Sequence, residues 1–129
     1  MTEGKDQNKK EQIASNVQND AGAIGRVMAR LSLMSNGMAH AGGFYDEPRS
    51  QIHELGLIHE EVSEMTWAVR HGNPESKKLT GYSNLEEEAA DVFIRLADFC
   101  GEHRLRLGPA IVAKMLHNAG RPYKHGKEF

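Results

Sequence analysis

The sequence predicts an all-α protein built from four principal helices. Three observations carry this. Apolar residues recur at helical spacing in four stretches, glycine- or proline-containing turns separate those stretches, and no alternating strand pattern intervenes. The length, 129 residues, fits one domain with a respectable core.

The first twelve residues, MTEGKDQNKKEQ, are charged and amide-rich and almost without apolar groups, so residues 1–12 are expected to be frayed or disordered. The folded domain then covers residues 13–129, including a basic C-terminal tail. Ile13, Val17, Ile24, Met28 and Leu31 define the first helix. Gly22 and Gly25 each weaken it by about 1 kcal/mol relative to alanine. Asn36-Gly37 is its expected stop. From His40 to Pro48 a glycine-rich loop carries Phe44 and Tyr45.

The second helix is expected from near Pro48 to Arg70, ending at His71-Gly72-Asn73-Pro74. A polar loop follows over Glu75 to Tyr82. Ser83 or Asn84 can cap the third helix, whose positive end suits Glu86, Glu87 and Glu88. That helix runs to about His103, with Ala89, Val92, Phe93, Leu96, Ala97 and Cys100 on its apolar side. After a short connector the fourth helix runs from Pro109 to about Ala119, with Gly120 as its cap. The tail RPYKHGKEF is basic and turn-like.

A net charge of −2 offers no basic footprint for duplex nucleic acid. No apolar run approaches the roughly 20 residues of a membrane span, and the polar N-terminus does not read as a secretory signal. Cys100 has no internal disulfide partner and is expected to be a small buried residue. A reducing, cytoplasmic setting is the simplest expectation.

Two carboxylate pairs stand out. Glu61 and Glu64 lie in LIHEEVSEM; Glu88 and Asp91 lie in LEEEAADVFIRLAD. Spacing of i, i+3 puts both members of a pair on one helix face. Leu57, Glu61, Glu64 and Ala68 share a face flanked by Ile58, Val62, Met65 and Val69, so the charges fall within an apolar stripe. Two such helices packed antiparallel can aim four carboxylates at one spot. A hard divalent cation neutralises such a set, and Mg²⁺ is the default for all-oxygen ligands.

Neighbouring residues extend the site. Glu60 is a candidate general base, the alternative being a surface position about 100° around the helix. Arg95 reads either as the middle of an Asp91–Arg95–Asp98 ladder or as a contact for an anionic ligand. Lys114, Asn118 and Arg121 at i, i+4, i+7 form a cationic face on helix four, with Tyr123, Lys124, His125 and Lys127 following. Such a face opposite a metal suits a polyphosphate, though dipole-favoured cations at a helix end are the plainer account. The seven histidines lack zinc-ligand spacing. His53 and His59 read as surface or packing residues and Trp67 as core or interface.

The ordered segments GGFYDEP, LIHEEVSEMTWAVRHGN, LEEEAADVFIRLAD and KMLHNAGRPYKHGKEF together resemble the MazG-like branch of the all-α NTP pyrophosphatases, over residues 43–129. The resemblance implies a four-helix bundle completed by oligomerisation, as a homodimer or homotetramer. It implies hydrolysis of a nucleoside triphosphate to a monophosphate and pyrophosphate, with Mg²⁺, or Mn²⁺ as a substitute. The family's metal ligands correspond to Glu61, Glu64, Glu88 and Asp91. Its helix-four Lys and Asn correspond to Lys114 and Asn118, and its RP-x-x-HGK tail to Arg121, Pro122, His125, Gly126 and Lys127. In dCTP-preferring relatives an aromatic residue stacks on the base where this chain has Arg95, so that route to pyrimidine preference is not expected. A phosphoribosyl-ATP pyrophosphatase-like activity is the alternative enzyme. A non-catalytic helical interaction protein is the alternative from another class.

Overall fold

The computed structural model describes residues 2–122, with side chains from Gly4 onward. The chain is all-helical: α1 (Thr2–Ala41), α2 (Gln51–Arg70), α3 (Asn84–Glu102) and α4 (Leu107–Ala119). The described residues contain no strand, only an isolated bridge between Glu75 and Ser83. None of these helices is long and apolar enough to cross a membrane.

The boundaries of α2, α3 and α4 follow local chemistry. Ser50 caps α2, its hydroxyl accepting from the His53 amide at 3.2 Å. The helix ends where Gly72 (φ 75°) and Asn73 (φ 48°) turn left-handed, as the His-Gly-Asn-Pro run leads one to expect. Ser83 caps α3 in a reciprocal box with Glu86. The Ser83 amide and hydroxyl donors hold the Glu86 carboxyl below its usual range. Arg106 stands at the N-cap of α4, so that helix starts two residues before Pro109, and Gly120 is its C-cap.

Helix α1 departs from the sequence reading. Thr2 to Gln12, expected to be frayed, belong to the helix, and the Asn36-Gly37 stop is passed, so α1 runs 40 residues. One glycine costs about 1 kcal/mol within a helix, too little to end one that is held further along. Lys10 Nζ donates to the Arg121 carbonyl at 2.7 Å, and Asn36 and His40 both bond to Glu102. The loop therefore begins at Gly42.

Two compact units divide the chain. One comprises Met1–Ala29 with Arg106–Phe129, the other Arg30–Leu105. In the first, α4 lies close on α1: a Cβ on buried Gly108 would come within 2.8 Å of the Gly25 Cα. Among its described residues Val17 is the buried apolar one. In the second, α2 and α3 pack against each other. Glu54 meets His103 and Glu61 meets Arg95, so numbers rise along one helix as they fall along the other. The pair is thus antiparallel, with Ala68, Ala97 and Cys100 buried. The end of α1 lies on α3 at Gly101, where a Cβ would sit 2.7 Å from the Ser32 carbonyl oxygen. Only glycine permits that approach without a shift.

Candidate metal centre

Antiparallel packing of α2 and α3 brings Glu61, Glu88 and Asp91 together. One oxygen from each lies within 4.8 Å of the others. Glu61 and Glu88 are buried, at 7% and 6% exposure, and Asp91 is half-buried. Glu64, the fourth member of the expected quartet, is exposed and lies outside this triad. It nonetheless lines a pocket with Glu61 and Asp91, and its charge acts on Glu88.

The triad is electrostatically incomplete. Glu88 Oε2 is buried with no hydrogen-bond partner among the described residues. Burial, then the neighbouring Glu64, push the Glu88 carboxyl up to about 7. Burial and then the charge of Glu61 also raise Asp91. An orphaned carboxylate oxygen in an all-oxygen set, with carboxyls holding protons against their ordinary tendency, fits a hard divalent cation.

Two cations border the triad. Arg95 Nε donates to Glu61, linking α3 to α2. This replaces the Asp91–Arg95–Asp98 ladder, because Asp98 is engaged elsewhere. Asn36 Nδ2 donates to Asp98 Oδ1 at 3.0 Å and the Tyr45 hydroxyl to Oδ2 at 3.0 Å. The second cation, Lys78, went unnoticed in the sequence. It lies in the α2–α3 loop and lines the pocket, its Nζ 2.8 Å from Glu87 Oε1. The loop is pinned by backbone bonds from Ser76 to Tyr82 and from Asn84 to Pro74, and Leu79 donates to the Ser76 hydroxyl at 2.8 Å. The Glu87 hydrogen bond and charge raise the Lys78 ammonium above its ordinary value.

The pocket beside the triad has a volume of about 440 Å³ and lies wholly within the second unit. Along the antiparallel pair it is lined first by Glu61, Glu64, Asp91, Ile94 and Arg95, with Lys78, and then by Glu54, Asp98 and Phe99, with Phe44, Tyr45 and Arg49. His103 Nε2 sits 2.6 Å from buried Glu54, and His40 Nε2 sits 2.7 Å from Glu102. Glu54 precedes Glu61 and Ala68 at seven-residue intervals, a spacing that could have disclosed its burial.

The remaining expectations divide. Glu60 is exposed and is not among the residues lining the pocket, the position of a helix-surface side chain. Lys114 is exposed, while Asn118 Oδ1 is buried and unpartnered among the described residues. Arg121 lies beyond the end of α4, so helical i+7 geometry does not place it on the Lys114 face. These three residues belong to the first unit, the carboxylates to the second. Tyr123, His125 and Lys127 lie outside the described residues. His53 and His59 are exposed, and Trp67 is half exposed and stacked on His71, with ring centroids 4.0 Å apart. In comparisons with known proteins, no family model, no curated protein and no solved structure matches the chain.

Proposed function

We propose that this chain is a divalent-metal-dependent nucleoside triphosphate pyrophosphohydrolase. In this reading water cleaves the anhydride between the α- and β-phosphates, giving a nucleoside monophosphate and pyrophosphate. The observation that carries it is the Glu61–Glu88–Asp91 triad, with its orphaned Glu88 oxygen and with Arg95 and Lys78 nearby, beside a pocket that Arg49 also lines. The resemblance of the ordered sequence segments to the MazG-like enzymes supports the same reading.

Glu61, Glu88 and Asp91 would hold Mg²⁺, with Glu64 completing the set. Bound there, the ion supplies charge neutralisation and a more acidic water. The chain's own residues do the rest. Lys78, on a pinned loop and itself mostly exposed, can turn toward phosphate oxygens while the Ser76 hydroxyl remains on Glu87. Arg95 offers a planar fork, one nitrogen of which is already on Glu61. Before metal enters, burial and the neighbouring Glu64 charge make Glu88 hold its proton more readily, which limits repulsion in the carboxylate set.

A second copy of the chain is part of this proposal. Ile52, Leu55, Val62 and Val69 form a helical stripe on α2 and are 78%, 37%, 46% and 61% exposed. An apolar stripe of this kind suits burial against another subunit. Light scattering of the purified chain tests it, a dimer or tetramer being expected.

Product analysis tests the activity. A panel of NTPs and dNTPs with Mg²⁺ or Mn²⁺, resolved by chromatography, should yield a monophosphate and pyrophosphate. A diphosphate and orthophosphate would move cleavage to the terminal phosphate and overturn the reading.

A further inference from the structure

We propose that the aromatic end of the pocket is a nucleobase subsite, and that Asp98 selects bases bearing an exocyclic amino group over their carbonyl counterparts. This rests on the nucleotide reading above and adds to it the class of base.

Three features support the subsite. The pocket is a single space joining the carboxylates to Phe44, Tyr45 and Phe99, and its volume, about 440 Å³, falls in the range of small-molecule sites. Asp91 and Asp98 lie on one face of α3, seven residues and so about 10 Å apart along the axis. A nucleotide spans a comparable distance from its phosphate across the sugar to the far edge of its base. The rings are also held in place: the Arg49 guanidinium lies over Phe44 and Tyr45, 5.3 and 5.9 Å from their centroids.

The selection follows from donor and acceptor accounting. The Tyr45 hydroxyl already donates to Asp98 Oδ2, so its proton is committed. Asn36 Nδ2 donates to Oδ1 and to Glu102. Each oxygen of an ionised carboxylate has room for a further donor and none to give. The edge that Asp98 presents to the pocket is therefore an acceptor edge. An amino group satisfies it, whereas a carbonyl oxygen would meet a carboxylate oxygen with no hydrogen between them.

Two base pairs isolate this difference, cytosine against uracil and adenine against hypoxanthine. Calorimetry without metal should find CMP and AMP bound about ten- to a hundredfold more tightly than UMP and IMP, the range for one charge-assisted hydrogen bond. The same ratios should appear in kcat/KM for the triphosphates with Mg²⁺. Asp98→Asn places a donor at the edge and should bring the ratios to one or below. Phe44→Ala should weaken all four bases alike and leave the ratios standing. The wild-type ratios need no variant to fold. Equal binding within both pairs overturns the proposal even if every triphosphate is hydrolysed, and leaves the hydrolytic reading intact. Discrimination between monophosphates without turnover keeps the subsite and removes the hydrolytic reading. The reverse preference would transfer recognition to Arg49 and overturn the role of Asp98.

Discussion

Glu87 and Glu88 are neighbours on α3, equally buried at 5% and 6%, and they differ in nearly everything else. Glu87 turns toward the α2–α3 loop. There the Ser76 hydroxyl and the Lys78 ammonium both bond to it, and Lys78, then Ser76, hold its carboxyl below the usual range. Glu88 turns toward the carboxylates of α2. One of its oxygens is unpartnered among the described residues, and burial and Glu64 raise it to about 7. Burial alone therefore does not mark a site. The same exposure yields a paired carboxylate where the fold supplies Ser76 and Lys78, and an unpartnered oxygen where it supplies more carboxylates, with Asn84 Nδ2 3.4 Å from the other oxygen.

The largest expected effect tests the Glu88 side. Glu61→Gln or Asp91→Asn should lower turnover by more than about a hundredfold, beyond the loss usual for residues that merely support a metal ligand. Circular dichroism should show the helices retained. Near-wild-type kcat at saturating Mg²⁺ would exclude the triad as a metal site.

Next comes the loop cation. Lys78→Ala should raise KM for the triphosphate about tenfold and also lower Tm, because it leaves the buried Glu87 carboxylate with Ser76 alone. Calorimetry with a non-hydrolysable triphosphate and with the monophosphate checks this, and equal losses for both ligands would give Lys78 a packing role.

The smallest effect is a pH dependence of the metal-free protein. Folding raises the Glu88 carboxyl from 4.5 to about 7. The folded state thus binds this proton more tightly, and the associated stability is lost as pH rises from about 4.5 through 7. Glu88→Gln removes that loss. Relative to wild type its Tm should be unchanged near pH 4 and higher by a few degrees at pH 8, on the order of 1 kcal/mol. Thermal melts in chelator at several pH values would show this, and a constant difference across the range would contradict it.

Much of the fold was legible in local signals. The Ser83 cap and the His-Gly-Asn-Pro stop needed only rules that act within a turn or two. The carboxylate pairs were legible for the same reason. The apolar side expected of α3, by contrast, is buried only at Ala97 and Cys100, with Phe93 and Leu96 43% and 36% exposed. What escaped depended on partners distant in sequence. Arg95 pairs with Glu61 across two helices rather than with Asp91 or Asp98 along its own, and Tyr45 reaches Asp98 from a loop. Lys78 drew no notice because a lysine in a polar loop looks like any solvated lysine until the loop is pinned beside acids. The length of α1 escaped because its ends are held by contacts with Arg121 and Glu102 that local composition does not encode.

Divalent-metal titration of wild type, Glu87→Gln and Glu88→Gln tests the central claim most directly. Mn²⁺ or Mg²⁺ binding can be followed by calorimetry, with a thermal melt of each protein as the folding control. The account predicts binding by wild type, similar affinity in Glu87→Gln despite a lower Tm, and a loss of about tenfold or more in Glu88→Gln. Equal affinities in the two variants, or no binding by wild type at millimolar metal, would contradict it.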